Sequence, residues 1–441
     1  MRPDTKIFAV AGSPVLHSKS PLMFRAAFEA LSVDGVYTRF AASDGRDIVD
    51  TVRTIGISGI NITSPFKEEI VPFLDHVDDR ARKLGAVNTV VTINGRTEGY
   101  NTDVEGAKNA FLMNGIDLAG RKAVILGAGG AAKAAALGFL EEGARTVICN
   151  RSLEKAERIA KEFGCRAAPL GKIGEELKDA DILLSCLPSL EGRIVDGRDL
   201  TERLIVLDAY YQGETCLVKD AKERGCKVID GREWLLFQGT GAFARFTGLE
   251  PPAEAMRKTL YSETAGDKGK GNIALIGFMG TGKTSVACDL GKLMGKPVVD
   301  IDALIEAEAG RSIAEIFRTE GEHAFRDIEK LEVRKVSGIS GAVIACGGGV
   351  VVDRENVAAL KENCLVVWLW AGRDTIRERV GDNGERPLLA GAGREHAMDV
   401  IFAERIPLYA HAADLVVGTD RRTIQETVKR IANESDTFLN H

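Results

Sequence analysis

Histidine is scarce, with six in 441 residues, and the eight cysteines are scattered without a C-x-x-C pair or zinc-like spacing. That pattern argues against a structural zinc site or a disulfide framework and leaves free thiols in a reducing cytoplasm as the expectation. A basic excess is also missing, since the net charge is -6. Neither a nucleic-acid groove nor a basic membrane-binding face is expected of such a chain. No apolar run approaches the roughly 20 residues that span a bilayer. The opening Met1-Arg2-Pro3-Asp4-Thr5-Lys6 runs straight into a strand-like Ile7-Phe8-Ala9-Val10, so no signal peptide is expected. These absences leave a cytoplasmic protein with small-molecule partners, no nucleic acid and no membrane.

Glycine is plentiful, at 48 residues, and two clusters of it carry chemistry. Short apolar strand candidates alternate with helical patterns throughout, which predicts α/β domains with mostly parallel sheets. Gly127-Ala128-Gly129-Gly130-Ala131-Ala132 follows the apolar run Ala123-Val124-Ile125-Leu126. Gly127 permits a tight turn, Gly129 lets backbone approach a pyrophosphate, and the next helix offers its unpaired N–H groups to that anion. A glycine-rich corner without a ligand is the plainer alternative. Gly277-Phe278-Met279-Gly280-Thr281-Gly282-Lys283-Thr284 follows Ile273-Ala274-Leu275-Ile276 and fits a P-loop. Gly280, Thr281 and Gly282 would wrap ATP phosphates with backbone N–H groups, Lys283 would reach the terminal phosphates, and Thr284 would ligate Mg²⁺. Between the two units, residues 262–271 are polar, glycine-rich and aperiodic, which reads as a linker.

Around the first loop, the strand after the turn ends in Asn150-Arg151-Ser152. An NAD site usually has an acid there, about 20 residues on. An arginine suits a 2′-phosphate instead, so NADP(H) is favoured. Ser18-Lys19-Ser20-Pro21 opens an amphipathic helix with Ser20 as its expected N-cap, and Asn61-Ile62-Thr63-Ser64-Pro65-Phe66-Lys67 reads as a second strand-to-helix corner. Two such corners bearing hydroxyls suit a small polyhydroxylated anion, although each alone is an ordinary cap. Lys67 in a first helical turn is disfavoured by the dipole, and Asp103 is the candidate acid beside it. A lysine–aspartate pair can pass a proton to and from a carbonyl oxygen.

Around the second loop, a strand at 297–299 runs into Asp300-Ile301-Asp302, and strand alternation would put both carboxylates on one face. One would serve the metal and the other an acceptor hydroxyl. The strand Ala342–Ala345 ends in Gly347-Gly348-Gly349 and lacks a metal-holding aspartate, which leaves the metal to Asp300. Arg326, between Glu322 and Glu329, and Arg405 read alone as helix-surface residues. The glycine- and charge-rich stretch 381–393 reads as a lid carrying Arg386 to the phosphate.

Together, Gly12-Ser13-Pro14-Val15 with Ser18 and Ser20, Asn61-x-Thr63 with Lys67, Gly85-Ala86-Val87-Asn88-Thr89, Asn101-Thr102-Asp103, the Gly127 turn, Asn150-Arg151-Ser152 and Gln238-Gly239 resemble shikimate dehydrogenase across residues 5–261. The resemblance implies a substrate domain split over 1–104 and 241–261, with a Rossmann-type NADP domain at 105–240. It implies reduction of 3-dehydroshikimate, with Ser18, Ser20, Thr63, Asn88, Asp103 and Gln238 holding substrate and Lys67 as acid/base. Gly127, Ala128, Gly129, Gly130 and Ala131 would line the cofactor. Three places depart from the family: the Ser185–Leu190 loop, the Tyr210-Tyr211-Gln212 stretch without its proline, and Trp234 in place of methionine. Residues 272–435, with Phe325-Arg326-x-x-Glu329, Arg386-Pro387-Leu388 and Arg405-x-x-x-Tyr409, resemble shikimate kinase, a P-loop α/β domain with a parallel sheet at 272–441. That implies Asp302 on the acceptor hydroxyl, Arg326, Arg405 and Gly348 on shikimate, Arg386 on the lid and Arg379 near adenine. The product of the first half is the substrate of the second. Two alternatives stay open: an inactive regulatory dehydrogenase-like half, or one that oxidises quinate with NAD, against which the paired serines speak.

Overall fold

A computed structural model describes residues 4–188, 192–262, 270–380, 394–420 and 422–439. Its strands are β1 (Lys6–Gly12), β2 (Gly35–Ala41), β3 (Ile57–Ile62), β4 (His76–Val77), β5 (Thr89–Ile93), β6 (Arg96–Tyr100), β7 (Lys122–Leu126), β8 (Arg145–Asn150), β9 (Arg166–Pro169), β10 (Ile182–Ser185), β11 (Ile205–Asp208), β12 (Lys227–Ile229), β13 (Asn272–Ile276), β14 (Val298–Asp300), β15 (Val343–Ala345), β16 (Cys364–Trp370) and β17 (Leu415–Gly418). The glycine-turn unit forms its own parallel sheet in the order β12-β11-β10-β7-β8-β9. Its central strands are continuous apolar runs because helices cover both faces.

The remaining strands lie in a single sheet, ordered β14-β15-β13-β16-β17-β2-β1-β3-β5-β6-β4. The P-loop half contributes β13 to β17, all parallel. The N-terminal half contributes a parallel β2-β1-β3 block and an antiparallel β3-β5-β6 extension. The halves meet where β17 runs parallel to β2, with Val416 opposite Phe40, both buried. Thr38 donates its hydroxyl proton to the Ala413 carbonyl at 3.3 Å across this seam. Each strand thereby covers an edge that would otherwise invite foreign pairing. Residues 263–269 of the expected linker lie outside the described residues. The two halves are nonetheless packed bodies and are not held by a tether alone.

An aromatic cluster ties the N-terminal lobe together. Phe24 stacks on Tyr37 at 4.3 Å, and Phe8 packs against Phe28 and Phe246 at 5.1 and 5.4 Å. Each such pair adds about 0.5–1.5 kcal/mol beyond its buried area. The cluster locks the helix Ser20–Ala30 against the helix Arg232–Thr247, which fixes the two chain segments that wall the first cavity.

Local expectations needed correction in four places. The helix starts at Ser20 itself, with Lys19 at the cap position and no side-chain cap bond; the Ser18 hydroxyl accepts from the Ser20 N–H at 3.3 Å. No helix follows Pro65: residues 64–70 are turns. The Lys67 carbonyl accepts from the Val87 N–H at 2.8 Å, so it is taken by the neighbouring segment and not by a helical donor. The dipole conflict at Lys67 therefore does not arise. Asp300 and Asp302 are not two positions of one strand. Asp300 caps the helix Ile301–Ala309, and Asp302 lies in its first turn. Finally, breaks at 104/105 and 240/241 fall inside the helices Asp103–Leu112 and Arg232–Thr247, which pack on each other and serve both lobes.

Candidate functional site

The first cavity, about 210 Å³, opens between the N-terminal lobe and the glycine-turn lobe. It brings together Ser18, Ser20, Thr63, Lys67, Asn88, Asp103 and Gln238, all singled out in the sequence. Lys67 Nζ lies 2.6 Å from Asp103 Oδ2. Asp103 is held from three directions. Its N–H donates to Asn101 Oδ1 at 3.0 Å, its carbonyl accepts from the Trp234 indole at 3.0 Å, and its carboxylate meets the lysine. Asn88 fixes the corner leading into Asp103: its Oδ1 accepts from the Thr102 N–H at 2.7 Å, and its Nδ2 donates to Thr102 Oγ1 at 3.1 Å. His17, Asn61, Tyr211 and Trp234 also line the cavity. Burial pushes the Tyr211 phenol up to about 12, so it stays a neutral hydroxyl. Burial, then the Arg39 charge, hold His17 below its ordinary value. Sequence reasoning gave these four no role: Asn61 entered only as a motif position, Tyr211 and Trp234 only as departures from the family, and His17, next to Ser18, not at all.

Beside this cavity, Gly127 adopts φ +108° at the end of β7, a conformation that favours glycine. The helix Gly130–Glu141 follows with Gly129 as its cap. A side chain at Gly129 or Gly130 would meet nothing within 4 Å, so the surface over the turn is open. Ala131 lines the cavity, and Ala128 lies between the two glycines. Arg151 is exposed at the end of β8. Asn150 Nδ2 donates to the Ser152 carbonyl at 3.0 Å, while the Ser152 hydroxyl makes no capping bond.

The second cavity is larger, about 970 Å³, and holds Gly280, Thr281, Gly282, Lys283, Thr284, Asp300, Asp302, Arg326, Gly348, Arg379 and Arg405. Arg386 lies outside the described residues. Lys283 donates to the carbonyls of Gly277 and Phe278 at 2.9 and 3.1 Å. Thr284 Oγ1 donates to Asp300 Oδ2 at 2.9 Å, which places a hydroxyl and a carboxylate side by side as oxygen donors for a hard cation. Asp302 is raised above the ordinary aspartate value, chiefly by burial and against the pull of Lys283. Arg326 does pair with Glu322 and Glu329, but on the inward face. Its Nη1 lies 2.7 Å from the fully buried Glu329, whose other oxygen has no partner. Burial raises the Glu329 carboxyl. A side chain at Gly349 would strike the Arg326 guanidinium, so the triple glycine makes room for the arginine. Arg405 donates to the Gly348 carbonyl at 3.1 Å, and the Tyr409 hydroxyl donates to the same oxygen. Arg379 donates to Thr419 Oγ1 and to the Thr419 carbonyl at 3.0 and 2.8 Å.

Residues 10–90 match the model of the shikimate dehydrogenase substrate binding domain, and 107–204 that of shikimate / quinate 5-dehydrogenase. Shikimate dehydrogenase (NADP(+)) of Pyrococcus abyssi is 38% identical over 257 residues, covering 57% of this chain and 96% of that protein. The chain belongs to the shikimate dehydrogenase family. Behind this dehydrogenase half stands a kinase half, since residues 279–436 match the shikimate kinase model. Among solved structures, Thermus thermophilus shikimate 5-dehydrogenase in complex with NADP(H) and shikimate is 36% identical, with a TM-score of 0.54 over 58% of this chain and 98% of that one. Quinate dehydrogenase from Corynebacterium glutamicum in complex with NAD is 31% identical, with a TM-score of 0.53 over 58% of this chain and 98% of that one. The chain is therefore a bifunctional shikimate-pathway enzyme, using NADP in the dehydrogenase half and ATP in the kinase half. No helix among the described residues is long and apolar enough to cross a membrane.

Proposed function

We propose that the dehydrogenase half reduces 3-dehydroshikimate to shikimate and that the kinase half phosphorylates the 3-hydroxyl of that shikimate, in the cytoplasm. The Lys67–Asp103 contact at 2.6 Å, set among the cavity's hydroxyl and amide groups, carries the first assignment. NADPH, when bound, supplies the hydride that adds to the ketone carbon. The Lys67 ammonium gives its proton to the carbonyl oxygen, and Asp103 holds the lysine in place and stabilises its charge. Ser18, Ser20, Thr63, Asn88 and Gln238 hold the ring hydroxyls and carboxylate. Gly127 to Ala131 take the pyrophosphate, and Asn150, Arg151 and Ser152 the 2′-phosphate, whose charge an arginine fits.

In the kinase half, Arg326 and Arg405, with the Gly348 backbone, hold the shikimate carboxylate. Asp302 accepts the proton of the 3-hydroxyl, to which its raised pKa suits it. The hydroxyl oxygen attacks the γ-phosphorus, and the bond to the ADP oxygen breaks. Gly280, Thr281 and Gly282 cradle the phosphates, Lys283 offsets their charge, Arg379 borders the adenine, and Arg386 stabilises the transferring phosphoryl group. Thr284 and Asp300 are the oxygen donors that would hold Mg²⁺, which would offset phosphate charge. We keep the unit division of 1–104 plus 241–261, 105–240 and 272–441 as a functional one, with its boundaries inside the shared helices. Purified protein given 3-dehydroshikimate, NADPH and Mg·ATP, with products identified by mass, should form shikimate 3-phosphate. Accumulation of shikimate without phosphorylation, or turnover of quinate in place of shikimate, would overturn the assignment.

A further inference from the structure

The loop that carries Ser18 and Ser20 is not held by the dehydrogenase half alone. Glu434 lies on the helix Ile424–Leu439 of the kinase half and is only 1% exposed. Its Oε2 accepts from the N–H groups of Val15 and Leu16 at 2.9 and 3.1 Å. Two residues on, the loop is tied from its other side, where Arg39 of β2 donates to the Ser18 carbonyl at 3.2 and 2.8 Å through Nε and Nη2. The Ser18 N–H closes the turn on the Val15 carbonyl at 3.0 Å. Arg430, one turn earlier on the same helix, donates to the Ala42 carbonyl at the end of β2. A buried carboxylate receiving two N–H bonds is a stiff clamp, because losing it would strand two buried donors. Ser18 and Ser20, on the cavity wall, are thus two to five residues from an anchor that belongs to the other enzyme. The Pyrococcus abyssi dehydrogenase aligns over 96% of its length with 57% of this chain.

We propose that Glu434 of the kinase half is a positioning residue for the dehydrogenase reaction, holding the loop at 13–20 so that Ser18 and Ser20 face the substrate. The inference rests on the dehydrogenase reading, which the unaltered chain's turnover of shikimate with NADP⁺ tests separately. The experiment compares full-length Glu434→Ala and Glu434→Gln with the unaltered chain in shikimate oxidation and, separately, in shikimate phosphorylation. Glu434→Ala should raise the dehydrogenase KM for shikimate about tenfold, the scale of a lost charge-assisted hydrogen bond. Its kcat, its KM for NADP⁺ and both kinase constants should stay within about twofold. Glu434→Gln keeps an acceptor oxygen but loses the charge, and should raise the shikimate KM by a smaller factor, about threefold. It also decides the matter should the alanine variant fail to fold, because a glutamine variant with a shikimate KM unchanged and a lowered melting temperature would reduce Glu434 to a packing residue. An unchanged shikimate KM in both variants, or an equal loss in NADP⁺ and kinase constants, would overturn the proposal.

Discussion

The two cavities hold their lysines differently. Lys67 rests against a carboxylate, 2.6 Å from Asp103. Lys283 donates to carbonyls of its own loop, Gly277 and Phe278, while its charge also acts on Asp302. A proton donor must be charged, oriented and able to lose its proton in place, and a fixed carboxylate partner serves all three needs. A phosphate clamp has a different task. Its cation must be exchanged onto an incoming anion, and the hydrogen bonds to its own loop carbonyls hold its ammonium where that anion arrives. The cavity sizes agree, about 210 Å³ around one small ring and about 970 Å³ for a nucleotide and a ring together.

The contrast between the lysines is sharpest under deletion. Lys67→Ala should lower dehydrogenase kcat by roughly 10²–10⁴-fold while kinase constants with added shikimate stay nearly intact. Lys283→Ala should abolish phosphorylation and spare reduction. Separate steady-state assays of each half check both, and a variant that loses both activities breaks the picture of independent chemistry.

Asp302→Asn probes the one carboxylate that the kinase cavity keeps above its ordinary value. Kinase kcat should fall by roughly 10²–10⁴-fold. Stability should move the other way. A carboxyl whose folded pKa is raised by burial costs stability once pH exceeds its unfolded value, and the full cost is present above the folded value. Asparagine avoids that cost. The variant should therefore melt a few degrees higher near pH 7.5, with the gain shrinking as pH falls toward the ordinary aspartate range. Thermal unfolding from pH 8 to pH 5 tests the sign, and a variant less stable at pH 7.5 would refute the burial account.

How much of this was legible in the sequence differs by the kind of signal. Both glycine loops sit where a strand meets a helix, because backbone conformation and anion binding are written in local residue types. Lys67 and Asp103 were paired correctly, yet the helix expected at Lys67 is absent. Its carbonyl is claimed by Val87, twenty residues away in sequence, and local pattern carries no trace of that bond. Arg326 and Glu329 read as a surface ion pair because their spacing is helical, and spacing does not say which face turns inward. The seam of β17 on β2 and the reach of Glu434 to Val15 join residues some four hundred positions apart. Only folding brings such pairs together, so they were invisible beforehand.

Arg151 separates the cofactors. Arg151→Ala should raise the KM for NADPH by about tenfold, as loss of a charge-assisted contact does, and leave the KM for NADH nearly unchanged. Initial rates with each cofactor measure it. Equal use of NADH and NADPH by the unaltered chain would remove the arginine's proposed role and leave the dehydrogenase cavity without its own phosphate discriminator.

The smallest effect should come from the ion pair that bridges the two halves beside the kinase cavity. Arg422, which lines that cavity, lies 2.5 Å from Asp47, on the helix Gly45–Ile55 of the dehydrogenase half. Its side chain is 11% exposed and that of Asp47 is 20% exposed, so solvent screens the pair less than a surface one. Asp47→Ala and Arg422→Ala should each destabilise the chain modestly. Their double mutant should show a coupling of about 0.5–1.5 kcal/mol, within the range for residues in one network. Equilibrium unfolding in urea gives the cycle. Arg422→Ala should in addition raise the KM for ATP in the kinase assay, because Arg422 lines that cavity. If Asp47→Ala raises that KM as well, the dehydrogenase half helps hold a residue of the kinase cavity, just as the kinase half holds a loop of the dehydrogenase. If it does not, support between the halves runs one way only.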